Sequence, residues 1–153
     1  MEVIFKLSNL LVAPFWLLAI LLPRWRFTQR VMRSPLVALG PAVLYAALMT
    51  PRLFELAPAL LRPELPTIAA LLATPEGATI AWAHFLAFDL FVGRWVYLDG
   101  RARGVSAWVT SPVLFLALLA GPLGFLLHLV TRRLVGRAPS ETAVAGAATT
   151  HEI

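Results

Sequence analysis

Four apolar runs, each of about 20 residues and so each about the length of helix that crosses a bilayer core, constrain this chain more than any other feature. They cover Val3–Leu22, Pro35–Phe54, Thr79–Leu98 and Ser111–Val130. The predicted fold is therefore all-α: a polytopic membrane protein built as a bundle of four transmembrane helices. Residues 1–133 form that domain, and the Ala- and Thr-rich stretch 134–153 reads as a polar, disordered tail. Only 14% of residues are charged, against about a quarter in a soluble domain, and those charges collect between the apolar runs.

The first run does not read as a cleaved signal peptide. It lacks a basic start, and it ends at Pro23-Arg24-Trp25-Arg26 without a small-residue cleavage site. Arg24, Arg26, Arg30 and Arg33 then make a basic loop, with Trp25 and Phe27 as interfacial anchors. Between the second and third runs, Pro58, Pro63, Pro66 and Pro75 punctuate a longer connection. Its apolar part, Thr67–Ala73, is too short to span and reads as a short interfacial or re-entrant helix. Asp99–Val109 reads as a short basic loop.

The net charge of +5 is carried almost entirely by arginine. In such a chain arginines set topology and contact lipid headgroups, and no basic segment has the interleaved aromatics of a nucleic-acid binder. Four spans would place Lys6, Arg52, Arg62, Arg132, Arg133 and Arg137 on one side and Arg24, Arg26, Arg30, Arg33, Arg101 and Arg103 on the other. That is a tie, so charge does not choose an orientation.

The third run carries the chemistry. His84, Asp89 and Arg94 lie in one span, where ionisable groups are costly and mark a site or a structural pair. Their i, i+5 spacing sets neighbours about 7.5 Å apart along the axis and about 140° around it. His84 shares a stripe with Phe88, Phe91 and Trp95, and Asp89 shares another with Trp82 and Gly93. Both stripes need shielding from lipid, which puts this helix at the centre of the bundle. Arg94 either closes on Asp89 as a structural ion pair or snorkels outward. In an up-down bundle Asn9, His84 and His128 share one half of the membrane, so a polar cluster floored by Asp89 is expected. Trp16 and Tyr45 lie deep enough in their runs to line a pocket.

Other chemistries are set aside. The absence of cysteine removes disulfides, thiolate metal sites and iron–sulfur clusters. Three histidines cannot build a histidine-rich di-iron site, and neither a phosphate loop nor a nucleophile elbow is present. No metal and no cofactor are expected.

Thr74-Pro75-Glu76-Gly77, then Trp82-Ala83-His84 through Phe88-Asp89 to Gly93-Arg94-Trp95, and later Gly121-Pro122-Leu123-Gly124, carry a resemblance. With Ser8-Asn9 and Pro14-Phe15-Trp16 they resemble the plant abscisic-acid-deficient-four type of neoxanthin-synthase-like membrane proteins, over about Phe5 to Arg133. The resemblance implies a four-helix membrane protein concerned with converting violaxanthin to neoxanthin. That isomerisation opens an epoxide while a neighbouring proton leaves to give an allene, so it needs an acid and a base but no redox cofactor. Carried onto this chain, it implies His84 and Asp89 as proton-handling groups, with Arg94 orienting Asp89. Asn9, Trp16, Tyr45, Trp82, Phe88, Phe91, Trp95 and His128 would contact the ligand.

Two functions stay open at this point. One is an intramembrane isomerase of a carotenoid or related isoprenoid lipid. The other is a non-catalytic protein that binds a pigment or lipid, or that packs in a homo-oligomer or against a membrane partner. An elongated apolar cavity reaching His84 and Asp89 favours the first. The Ala-, Leu- and Arg-rich composition suggests a bacterial inner membrane.

Overall fold

The computed structural model describes residues 1–136; the rest of the predicted tail lies outside the described residues. Among these the protein is all-helical, with eight α-helices, two short 3-10 turns and no strand. They are α1 (Glu2–Leu21), α2 (Arg26–Arg33), α3 (Leu39–Met49), α4 (Leu53–Leu61), α5 (Leu65–Leu72), α6 (Pro75–Ala102), α7 (Ala107–Leu119) and α8 (Gly121–Leu134). Two helical stretches are long and apolar enough to cross a membrane by length and composition, Glu2–Leu21 and Pro35–Leu61. In the second, 3-10 turns at Pro35–Ala38 and Thr50–Arg52 flank α3. Each contains a proline, which removes an amide donor and interrupts the regular bond pattern. The short helix expected over Thr67–Ala73 is present as α5.

Local chemistry sets both ends of α6. Thr74 caps its start, accepting a hydrogen bond from the Gly77 amide at 3.0 Å, and Pro75 follows where a missing amide costs nothing. At the far end Gly104 turns left-handed with φ 66°. Val105 N then donates to Gly100 O at 2.8 Å and Gly104 N to Arg101 O at 3.1 Å, a Schellman closure. This cap lets the helix run on through Asp99, which the sequence reading had placed in a loop.

The chain divides into two compact units. The first combines Met1–Phe15 with Pro35–Phe91, and the second combines Trp16–Ser34 with the chain from Val92 onward. In the first, α6 buries Thr79, Ile80, Ala83, Leu86, Ala87 and Leu90, the three-and-four spacing of one helical face. Its other face stays open, with Phe85, Phe88 and Phe91 each more than half exposed. The expectation that α6 is enclosed on every side is therefore corrected. Aromatic rings carry no unmet hydrogen bond and do not require cover in apolar surroundings.

The second unit corrects the fourth span. Ser111–Val130 is not one helix, because the chain breaks at Ala120 (φ −153°, ψ 81°) between α7 and α8. Pro122 has no amide to offer the preceding turn, so the helix stops and restarts with proline in its first turn. A Cβ on Gly100 would lie 3.3 Å from Thr110 Oγ1 and 3.7 Å from His128 Cε1. A continuous helix would separate Thr110 and His128 by about 27 Å, so α7 and α8 double back as a hairpin. Gly124 permits this, since a Cβ there would overlap the Ala117 backbone. At 13 and 14 residues, each arm is about 20 Å long, short of a full crossing.

Gly124→Ala should lower the thermal midpoint in detergent, at a cost of about 1–3 kcal/mol from overpacking. Gly40→Ala is the control, because the nearest atom to its added Cβ is Leu11 Cδ2 at 3.8 Å. An unchanged midpoint for Gly124→Ala would contradict the hairpin.

Candidate functional site

Two polar groupings lie along α6. In the first unit the Trp82 indole N–H donates to Asn9 Oδ1 at 3.1 Å, while Asn9 Nδ2 donates to Phe5 O at 2.8 Å. These bonds fix which end of the amide faces the indole. Phe5 stacks on Trp82 with centroids 5.5 Å apart. Two residues further on, His84 sits in an aromatic cage, edge-on to Tyr45 at 5.1 Å and stacked on Phe88 at 4.8 Å. Asp89, half-buried on the same helix, has no hydrogen-bond or ion-pair partner among the described residues. It is the one carboxylate of this unit set in an apolar stretch of helix and left unpaired.

Several expected associations are replaced by others. Arg94 does not orient Asp89: its Nε donates to Ser34 O at 3.0 Å and its Nη2 to Arg33 O at 2.7 Å. Those carbonyls close α2, and a guanidinium satisfies a helix C-terminus both by hydrogen bonding and by charge. The expected cluster of Asn9, His84 and His128 is not assembled, since Asn9 is taken by Trp82 and His128 by Asp99. Trp16 is 2% exposed and packs flat into the space that Gly93 leaves. Trp95 contacts Phe125 and His128, at 5.4 and 5.2 Å between ring centres, with the Arg132 guanidinium 5.5 Å from its ring. Phe91 presents its ring outward.

The second grouping was not anticipated. Asp99 Oδ2 meets His128 Nε2 at 2.8 Å, and the Arg103 Nε reaches both carboxylate oxygens at 3.0 and 3.1 Å. Arg132 adds contacts at 3.4 Å. His128 is 1% exposed, so the pair is shielded. Burial raises the Asp99 pKa, but the hydrogen bonds of His128 and Arg103 and the charges of Arg103 and Arg132 outweigh it. The carboxyl is held below its usual range. A signal for this site was present: Asp99/Arg103 and His128/Arg132 are both i, i+4 pairs, the spacing that puts two side chains on one helical face.

The family model described as ABA DEFICIENT 4-like matches residues 3–128. The chain belongs to that family. The match runs from the start of α1 to His128 and so takes in both polar groupings except Arg132. Among curated relatives, Protein ABA DEFICIENT 4, chloroplastic, of Arabidopsis thaliana is 31% identical over 140 residues. That alignment covers 86% of this ABA DEFICIENT 4-like chain and 61% of the relative, so the chain spans about three fifths of the relative's length. No solved structure matches. The bacterial inner membrane expected from composition is overturned by this relative, a chloroplastic plant protein. An Ala-, Leu- and Arg-rich sequence reports apolarity and charge sign, which do not specify a compartment.

Because the folded-state pKa of Asp99 is depressed, its stabilisation is complete above the ordinary value near 3.8. It is lost as pH falls through the lower folded value. Acidification below about pH 4 should therefore lower the thermal midpoint of the wild type. Asp99→Asn should remove that acid-side step and cost about 3 kcal/mol at neutral pH, by leaving the arginines uncompensated. Melting followed by near-ultraviolet circular dichroism checks both, and an identical acid limb in the variant would refute the assignment.

Proposed function

We propose that the chain is an integral membrane protein with a carotenoid-related role, which holds a carotenoid or similar isoprenoid against α6 and isomerises it by acid–base chemistry. One observation carries this reading. Trp82, Phe85, Phe88 and Phe91 are all exposed on the half of α6 that its buried face leaves open, as are parts of the caged His84 and the unpaired Asp89. The four rings recur every three residues over about 14 Å of helix, each about 60° further around it, so they wind as an apolar strip across that open half, a surface for an elongated polyene. Membership of the ABA DEFICIENT 4-like family supports the same substrate class.

The membrane reading rests on length and chain direction. α1 and Pro35–Leu61 supply two spans, and α6, at 28 residues or about 42 Å, is long enough for a third. The α7–α8 hairpin replaces the fourth as a re-entrant pair, and α5 lies at an interface. A hairpin ends on the side where it begins. Arg132 and Arg133 then join Arg101 and Arg103, and the charge tie of a four-span reading is broken.

In the reaction, the epoxide C–O bond breaks as its oxygen takes a proton, while a proton leaves the neighbouring carbon. Protons balance, and no oxidant or reductant is consumed. Asp89 and His84 are the groups placed to give and take that proton, and an apolar setting sharpens such transfers by excluding water. Arg94, engaged by α2, holds the helix rather than the carboxylate.

A second reading has its own support. His84 makes aromatic contacts and no hydrogen bond among the described residues, as a histidine used for packing would. Under it the aromatic track binds pigment without turning it over.

Purification in mild detergent, with absorption spectroscopy and pigment extraction, should recover bound carotenoid from the wild type. Phe88→Ala with Phe91→Ala should deplete it. Supplied with epoxycarotenoids, Asp89→Asn should lose about a hundredfold in conversion while keeping its pigment. Conversion unchanged in both Asp89→Asn and His84→Ala would leave the binding reading, and no pigment in any preparation would refute both.

A further inference from the structure

Beside the Asp99 cluster, within the second unit, lies a cavity of about 240 Å³ whose lining includes Arg24, Tyr97, Arg101, Ser106, Ala107 and Thr110. No carboxylate lines it. Among the described residues Asp99 is the one acidic side chain of the whole unit, and it is taken by His128, Arg103 and Arg132. The guanidinium groups of Arg24 and Arg101 have no carboxylate partner. Arg101 is instead laid over the Tyr97 ring, 5.9 Å from its centre.

Several carbonyls of the lining are already engaged: Pro23 O by the Tyr97 hydroxyl at 2.7 Å and Arg101 O by Gly104 N. Ser106 O receives Val109 N, Thr110 N and the Thr110 hydroxyl. The donors at the cavity are the exposed Arg24 guanidinium, the exposed Arg101 guanidinium, which meets the Tyr97 side chain, and the Ala107 amide, which stands in the first turn of α7 where amides lack an intrahelical acceptor. An acid-free cavity with two guanidiniums that no carboxylate neutralises suits an anion, and planar guanidiniums match the oxygens of phosphate best. The volume is about eight times that of a liquid water, enough for a phosphate and part of an attached glycerol. Trp25 and Trp108, next in sequence to Arg24 and Ala107, are both exposed, and such rings settle at the level of lipid headgroups.

We propose that this cavity is a phosphate-binding site that takes the phosphodiester of an acidic membrane lipid. The site is separate from the α6 aromatic track and does not depend on a carotenoid-related role.

Native mass spectrometry of the full chain tests it, with detergent micelles doped with phosphatidylglycerol or with phosphate-free dioleoylglycerol. The wild type should retain one phosphatidylglycerol and no dioleoylglycerol. Arg24→Gln with Arg101→Gln should weaken retention about a hundredfold, and Arg133→Gln, equal in kind but outside the cavity, should leave it unchanged. Ala107→Pro deletes only the amide. Ser106 already has the extended conformation that precedes proline (φ −59°, ψ 142°), so the variant should fold normally and bind about tenfold more weakly. Displacement by excess glycerol 3-phosphate would show that the phosphate alone is recognised, and failure to displace would show that the acyl chains contribute; the site stands in both cases. Equal retention by the wild type, the arginine pair variant and Ala107→Pro would overturn it, as would equal retention of dioleoylglycerol.

Discussion

Among the described residues one carboxylate, Asp99, gathers the polar contacts of the unit in which α7 and α8 fold back. Its oxygens take His128 and Arg132 from α8 and Arg103 from the end of α6. The hairpin is joined to the helix it follows through this contact and through the packing of Trp95 on Phe125 and His128. Paired charges of this kind are weak contributors to net stability compared with a well-packed apolar core. What they impose is register. A slip of one residue in α8 would carry His128 and Arg132 around the helix by about 100° and leave Asp99 facing the wrong side chains. The polar contacts select the fold-back, and the apolar packing of Val113, Leu114 and Ala117 supplies most of its stability.

Hydropathy shows where a chain is apolar but not which way it runs. That is why α1, the Pro35–Leu61 stretch, α5 and the body of α6 were legible in the sequence while the hairpin was not. Gly121-Pro122 and Gly124 were recognisable as residues that permit a bend. Nothing in a residue-by-residue sum distinguishes a bend from a reversal, because the deciding contact lies between Gly124 and Ala117 on opposite sides of the break. The end of α6 was misplaced for a similar reason. The apolar run stops at Leu98, whereas the left-handed position that ends the helix belongs to Gly104. Gly100 is instead where Thr110 and His128 approach.

The missed hairpin and the unrecognised helix α2 account for the site residues whose partners were misassigned. Arg94 was read against Asp89 because Pro23–Ser34 looked like a basic loop. Once Arg26–Arg33 forms α2, its last carbonyls offer a better partner than a carboxylate on the far side of the same helix. His128 was grouped with Asn9 and His84 by assuming an uninterrupted fourth span. Asn9 was expected in a cluster with His84 and His128, but its partner is the Trp82 indole. His84 and Asp89 were singled out by a local rule, that ionisable groups in an apolar helix are unusual, which does not depend on the topology of the other spans.

The two units differ in how they meet charge, and this bears on what each can do. In the first, Lys6 pairs with Glu2 and Arg52 with Glu55 and Glu76, so two of its three cationic side chains are paired nearby and Asp89 stands apart from them. In the second, arginines outnumber the single acid and meet carbonyls, aromatic faces and a donor-lined cavity instead. The proton chemistry proposed for the first unit rests on one isolated carboxylate on an aromatic helix, with no cation among the described residues paired to it. The anion site proposed for the second rests on arginines that no carboxylate among those residues meets. One helix, α6, carries the exposed aromatic side chains on which the first proposal rests and contributes Tyr97 and Arg101 to the cavity on which the second rests.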